Sequence, residues 1–335
     1  MKPLAILAGT LALAAATAAG CGGDDGGTLT VYSGREEELV APLFEMFTDE
    51  TGIDVEVRYG DSAELAATIA EEGGNSPADV FFAQDPGSLG SVEEQLAELP
   101  SELLDRVEER FRDSERRWTG TSGRSRVLVY NTDALSETEV PDTVADLIDP
   151  KWQGRIGIAP TNASFQAFVT AMRLTDGEED TRQWLTDLDE LDPKIYESNT
   201  PIVEATAAGE VDLGLVNHYY LYLIREEQPD APIENHFLAA GDPGALVSVA
   251  GAAVLSSSDQ SDDAESFVDF LLSEEGQRFY VDEAEEAEYP LIEGIEAKEG
   301  LPALEDLQGP DVDLSTFGSE LEATVELLRE TGYLT

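Results

Sequence analysis

Histidine and cysteine are almost missing from this 335-residue chain, which holds His218, His236 and Cys21 and no others of either kind. A lone cysteine forms no internal disulfide, and so few nitrogen and sulfur donors argue against the usual zinc site. Basic residues are scarce too. Nineteen Lys and Arg face 71 Asp and Glu, a net charge of −52. That balance excludes nucleic acid as a partner, because phosphate neutralisation needs cations. Such a surface repels anionic lipid headgroups and concentrates cations; its plain reading is adaptation of a whole proteome to salt or alkali. Hydrophobic residues still make up 41%, so the acidity belongs to a globular chain and not to a disordered tail. Catalytic signatures are also absent. There is no P-loop and no Gly-x-Gly-x-x-Gly after a strand. "GTSGR" around Ser122 is not a nucleophile elbow, since Arg124 and Ser125 follow Gly123. Neither histidine is placed near a nucleophile and an acid, so an enzyme is not expected.

The one long apolar run is at the start. Lys2 precedes small and apolar residues 4–19, and Cys21 follows "AAG". This is similar to a bacterial lipoprotein export signal, with Ala18 where a lipobox usually has Leu. Residues 1–20 read as a signal peptide, Cys21 as the lipidated N-terminus, and residues 21–27, "CGGDDGG", as a tether. The expectation is a monomer exported to the cell envelope or periplasm and lipid-anchored to the outer face of the cytoplasmic membrane. No later stretch is apolar enough to span a bilayer.

Past the tether, strands and helices alternate. "LTVYS" is β-rich, and "EEELVAPLFEMF" carries Leu39, Val40, Leu43, Phe44 and Phe47 at helical spacing before Gly52. "IDVEVRY" alternates as a half-buried strand, Asp61 with Glu64 opens a helix, and "ADVFFA" is a buried strand. Residues 101–118 read as a charged surface helix. "RSRVLVYN" is a strong strand, the rhythm restarts with "ASFQAFVTAMRL", and "GALVSVAGAAVLSSS" is long enough to cross between lobes. The pattern predicts an α/β protein of two lobes, with a ligand cleft between them and strand crossovers as the hinge. The expected lobes are residues 28–124 with 250–303, and 125–249 with 304–335.

Ligands in open α/β sheets sit beyond the C-terminal ends of strands. That rule selects "SGRE" (33–36), "AQD" (83–85), "PTNAS" (160–164), "SNT" (198–200) and "NHYY" (217–220). The adjacent Tyr219 and Tyr220 could be hard phenolate ligands, but only for a strong Lewis acid, since free tyrosine ionises near pH ~10. They could equally be core residues with satisfied hydroxyls. The turn around Asn162 precedes a helix whose amides would cradle an anion, or it is an ordinary N-cap. Asn199 opens a similar helix, and Arg35 offers a cationic fork.

Several stretches together resemble the ferric-iron-binding proteins of bacterial ABC importers: "LTVYSGREEELVAPLFEMF", "SPADVFFAQD", "SGRSRVLVYNTD", "DPKWQGRIGIAPTNASFQAFV", "GEVDLGLVNHYYLY" and "GDPGALVSVAGAAVLSSS". The likeness runs from about Leu29 to the C-terminus. It implies a periplasmic-binding-protein fold of the second type that captures Fe³⁺ with a synergistic anion, phosphate or carbonate, and delivers it to an importer permease. Tyr219 and Tyr220 would supply two phenolates. Asn162, Ala163, Ser164, Asn199 and Asn217 would seat the anion, with Arg35 as in relatives that favour carbonate. Glu36 stands where some relatives have a histidine ligand, so it is a third candidate ligand. Gln84 stands where they have a glutamate, and Phe165 where others have a tyrosine. The alternative ligands are a polyamine, caged by aromatic faces, or an oxyanion such as phosphate or phosphonate without metal.

Overall fold

The computed structural model describes residues 27–282 and 287–334, so Cys21 and the export signal lie outside the described residues. The strands are β1 (Leu29–Ser33), β2 (Val55–Tyr59), β3 (Val80–Ala83), β4 (Thr119–Asn131), β5 (Ile156–Ile158), β6 (Lys194–Ile195), β7 (Leu213–Asn217), β8 (Ile233–His236) and β9 (Val247–Val254). The helices are α1 (Glu37–Thr51), α2 (Ser62–Glu72), α3 (Pro86–Ser91), α4 (Ser101–Leu104), α5 (Ala163–Asp176), α6 (Glu178–Glu190), α7 (Asn199–Ala207), α8 (Tyr220–Glu227), α9 (Ser261–Leu271), α10 (Glu274–Asp282) and α11 (Phe317–Glu330).

Local chemistry accounts for the first elements. In α1, Val40, Leu43, Phe44 and Phe47 fall on one buried face, and Gly52 ends the helix in the left-handed conformation. Asp61 caps α2 by accepting from the amides of Ala63 and Glu64. The Phe44 and Phe267 rings stack at 5.4 Å, which joins α1 to α9 over the first sheet.

Two sheets share one long strand. The first runs β2-β1-β3-β9-β4, with β1, β2 and β3 parallel and β9 antiparallel to both neighbours. The second takes over the far half of β4, which pairs with β7 on one side and β8 on the other. Thr119 to Ser125 pair with β9, and Arg126 to Tyr130 pair with β7. The strand therefore changes sheets between Ser125 and Arg126, and all thirteen of its residues are buried. His218 fixes this crossing. Its backbone amide donates to the Ser125 carbonyl at 3.0 Å, while its Nδ1 accepts from the Ser125 amide at 3.2 Å. Nε2 is then the protonated nitrogen, 3.0 Å from the Ala287 carbonyl.

The cores follow the sheets. Val31, Phe47, Phe82, Trp118 and Phe267 belong to the first, and Leu128, Trp152, Phe168 and Leu215 to the second. The C-terminal segment straddles both: Leu314 and Phe317 join the first core, Leu327 and Leu328 the second. Helix α11 reaches the first lobe by a glycine contact. A Cβ on Gly318 would lie 2.4 Å from the Gly90 carbonyl carbon of α3. At its middle, Thr324 meets Thr170 of α5 at 2.7 Å.

Residues 101–118 depart from expectation. Only Ser101–Leu104 is α-helical, followed by turns. Val107 and Arg112 spend their backbone on bridges to Ile292 and Thr119, and Phe111 and Trp118 are buried beneath. Long-range pairing overrides the local helical spacing here.

Two tests follow from this architecture. Gly318→Val should separate α11 from α3 and lower the thermal midpoint, with a loss of about 1–3 kcal/mol typical of overpacking; an unchanged midpoint would contradict the close approach. Burial pushes the His218 imidazole down to about 4 from its ordinary 6.5. Below its ordinary value the unfolded chain takes up a proton that the folded chain refuses, so stability falls as pH drops from ~6.5 toward ~4. His218→Gln should remove on the order of 3 kcal/mol of that pH-dependent loss, read from melting curves across the window.

Candidate metal and anion site

Between the two sheets lies a cavity of ≈ 10 Å³, lined by Gln84, Asp85, Arg124, Asn162, Ala163, Ser164, Asn217, Tyr219, Tyr220 and Ser248. That is room for about one water or one ion. Three of its edges are the ends of strands: β3 leads into Gln84 and Asp85, β5 into Asn162, and β7 ends at Asn217.

The tyrosines come from the turn after β7. Tyr219 is buried and Tyr220 half-buried as the first residue of α8. Their rings tilt by 34° at 4.4 Å between centroids, and the two phenol oxygens are 3.4 Å apart. Asn217 Nδ2 lies 3.4 Å from the Tyr219 oxygen. Two hard oxygens this close can share one cation. Among the described residues, no group of three or more His, Cys, Asp or Glu is arranged to hold a metal ion. A hard cation would therefore rely on the phenols.

The opposing edge is built for negative charge. Asn162 caps α5 through its side-chain oxygen, which accepts from the Ser164 amide at 3.0 Å. Asn199 does not line the cavity but holds the turn, its Nδ2 lying 3.3 Å from both Asn162 Oδ1 and Ser164 Oγ. Beneath sits Arg126, 1% exposed. It donates to Ser164 Oγ and Asn217 Oδ1 at 3.2 Å each and to the Leu215 carbonyl at 2.7 Å. Burial pulls its guanidinium down to about 9, opposed by the nearby Tyr219 and Tyr220. One arginine thus ties the anion turn to the tyrosine strand.

Two expected residues fall elsewhere. Arg35 does not line the cavity; it is buried against Glu288, with Nη1 at 3.2 and 3.1 Å from the two carboxylate oxygens. Glu36 is exposed at the start of α1 and is also outside the lining. The reason is local. Entry into α1 directs residue 36 to solvent, while the neighbouring guanidinium is drawn to a fully buried carboxylate. Phe165 packs in the second core against Phe168 at 5.7 Å. The first lobe reaches the cavity instead through Gln84 and Asp85. Asp85 is committed as cap of α3, accepting from the Ser88 amide at 2.8 Å and hydroxyl at 2.7 Å. Burial raises its carboxyl, and those bonds oppose the rise.

Sequence reasoning missed Arg124, Arg126, Ser248 and Glu288. A signal for the first two existed: "RSR" opens a strand of otherwise apolar residues in a chain with only nineteen basic ones. Positions two apart on a strand share a face.

Comparison with known proteins identifies the family. The family model described as "Bacterial extracellular solute-binding protein" matches residues 75–313. The Fe(3+)-binding periplasmic protein of Serratia marcescens is 34% identical over 338 residues, covering 100% of this chain and 98% of that one. The structure of iron-bound HitA from Pseudomonas aeruginosa superimposes with a TM-score of 0.86 at 37% identity, over 91% of this chain and 99% of HitA. A Trichodesmium protein in complex with iron and citrate gives a TM-score of 0.80 at 27% identity, over 92% of this chain and 100% of that one. The two-lobed fold, the inter-sheet cavity and these relatives lead to one assignment: the chain belongs to the bacterial extracellular solute-binding protein family, alongside the periplasmic ferric iron-binding proteins.

Proposed function

We propose that the protein captures Fe³⁺ between its lobes with a synergistic anion and delivers it to the permease of an ABC importer. The carrying observation is the pair of phenol oxygens, 3.4 Å apart, on a cavity they share with the Asn162–Ser164 turn. Tyr219 and Tyr220 act as ligands, and the Asn162–Ser164 turn seats the anion with Asn199 and Asn217 in support. The lobes are residues 28–124 with 250–303 and 125–249 with 304–335, closing about the β4 crossing. The ion itself ionises the phenols by stabilising their anionic form. Each phenol that ionises on loading releases a proton, so apparent affinity falls as pH falls.

A polyamine fits poorly, because the tyrosine faces are turned to each other and the carboxylate lining the cavity, Asp85, is committed to capping α3. A metal-free oxyanion would use the turn but leave the paired phenols without a role. Export, a lipid anchor at Cys21 and a monomeric state complete the proposal.

Titrating the purified protein with a ferric chelate should raise a visible phenolate-to-iron charge-transfer band. Tyr219→Phe and Tyr220→Phe should each weaken binding by more than the ~10–100-fold typical of losing a supporting group, and the double variant should have no band. A wild type without a band, binding phosphate alone by calorimetry, would sink the iron reading. For the anchor, Cys21→Ser should move the expressed protein from the membrane fraction to the soluble envelope fraction; retention in the membrane would contradict lipidation.

A further inference from the structure

Strand β4 brings two guanidiniums to the cavity, and they are used differently. Arg126 is spent beneath the anion turn. Arg124, 3% exposed, lines the cavity beside Asn162, Ala163, Ser164 and the two tyrosines. Its Nη2 forms an ion pair with Glu288 Oε1 at 3.4 Å, yet neither Nε nor Nη2 makes a hydrogen bond among the described residues. Glu288 explains why. Its carboxylate already accepts from Arg35 Nη1 at 3.1 and 3.2 Å and from the Ser122 hydroxyl at 2.6 Å. Burial alone would raise the Glu288 carboxyl; Arg35 and Arg124 outweigh that and hold it below its ordinary range.

A buried donor left unmade costs about 1–3 kcal/mol, and more when it is charged. Native structures rarely leave one without cause, and an absent ligand is a recognised cause. The start of α5 lines the same cavity, where the Ala163 amide and the helix dipole favour an anion. From these two facts we infer that Arg124 is an anion-binding residue, donating from Nε and Nη2 to an oxyanion that also meets the Ala163 amide at the start of α5.

This rests on the iron-and-anion reading above and names the anion's class. Two phenolates cancel two of the three charges of a ferric ion, leaving one. An incompletely neutralised guanidinium adds a second positive charge at the same place. With Arg126 buried beneath as a further cation, an oxyanion carrying two negative charges, carbonate or hydrogenphosphate, is a closer electrostatic match than a monoanion such as acetate. The forked donor pair also favours two acceptor oxygens over one. The cationic fork expected at Arg35 is thus supplied from the crossing strand, while Arg35 saturates the carboxylate that holds Arg124 in place.

The test compares wild type, Arg124→Gln and Arg124→Lys, loaded with ferric ion in carbonate, phosphate or acetate. The readout is the anion concentration giving half the charge-transfer band, with metal-free melting as a fold check. Arg124→Gln should keep the band but need roughly tenfold or more dianion, the loss expected for a charge-assisted bond; its response to acetate should not move. Arg124→Lys should recover part of the dianion affinity. Carbonate and phosphate arms separate the two dianions in the wild type. A folded Arg124→Gln with wild-type half-saturation for every anion overturns this inference and leaves the iron reading standing. No band in the wild type overturns both. Should the glutamine variant not fold, a crystal structure of the iron-loaded wild type decides. An anion oxygen hydrogen-bonded to the Arg124 guanidinium supports the inference, and a guanidinium turned only to Glu288 refutes it.

Discussion

Burying guanidinium groups in the strand that joins the two sheets is the constraint on which the site depends. A charge removed from water costs several kcal/mol unless hydrogen bonds and counter-charges surround it. Arg126 draws its acceptors from β7, from the Asn217 side chain and from the start of α5. Arg35 and Arg124 both form ion pairs with Glu288, in a segment far along the chain. Balancing these cations therefore draws on β7, the start of α5 and the Glu288 segment together. The tyrosine pair and the anion turn are held at a fixed separation because one arginine bridges them.

This interior has the opposite sign to the exterior. The chain carries −52 overall, and its acids are mostly exposed, yet the groups nearest the cavity include two buried arginines. Water and salt screen the outer carboxylates, whereas charges in the crossing region act at short range through a poorly polarisable medium. The net charge thus says little about what the cavity prefers.

Much of this was legible in the sequence. The βα alternation, the long β4 and the Asn162 and Tyr219 turns could be read because each depends on local periodicity and on where strands end. Strand β9, by contrast, was expected to cross between lobes and instead pairs within the first sheet. What escaped depended on distant partners. Nothing near Arg124 or Arg126 in sequence reveals which residues will face them, and Glu288 enters the site only through tertiary packing. Arg35 looked like an anion fork because its buried carboxylate comes from another part of the chain. Residues 105–118 were misread for a related reason: bridges to Ile292 and Thr119 and short turns, not helical bonds, take up their backbone.

The grip of α11 on both α3 and α5 bears on the order of events in time. Helix α3 starts at Asp85 and α5 just after Asn162, so the two helices that open onto the cavity from opposite lobes are held by one late segment. Domains acquire structure progressively as a chain emerges, and contacts between remote segments form last. A nascent or partly translocated chain can therefore build each sheet while still lacking the brace that sets the cavity walls. The geometry of the cavity is thus completed as the closing act of folding, after both sheets have formed.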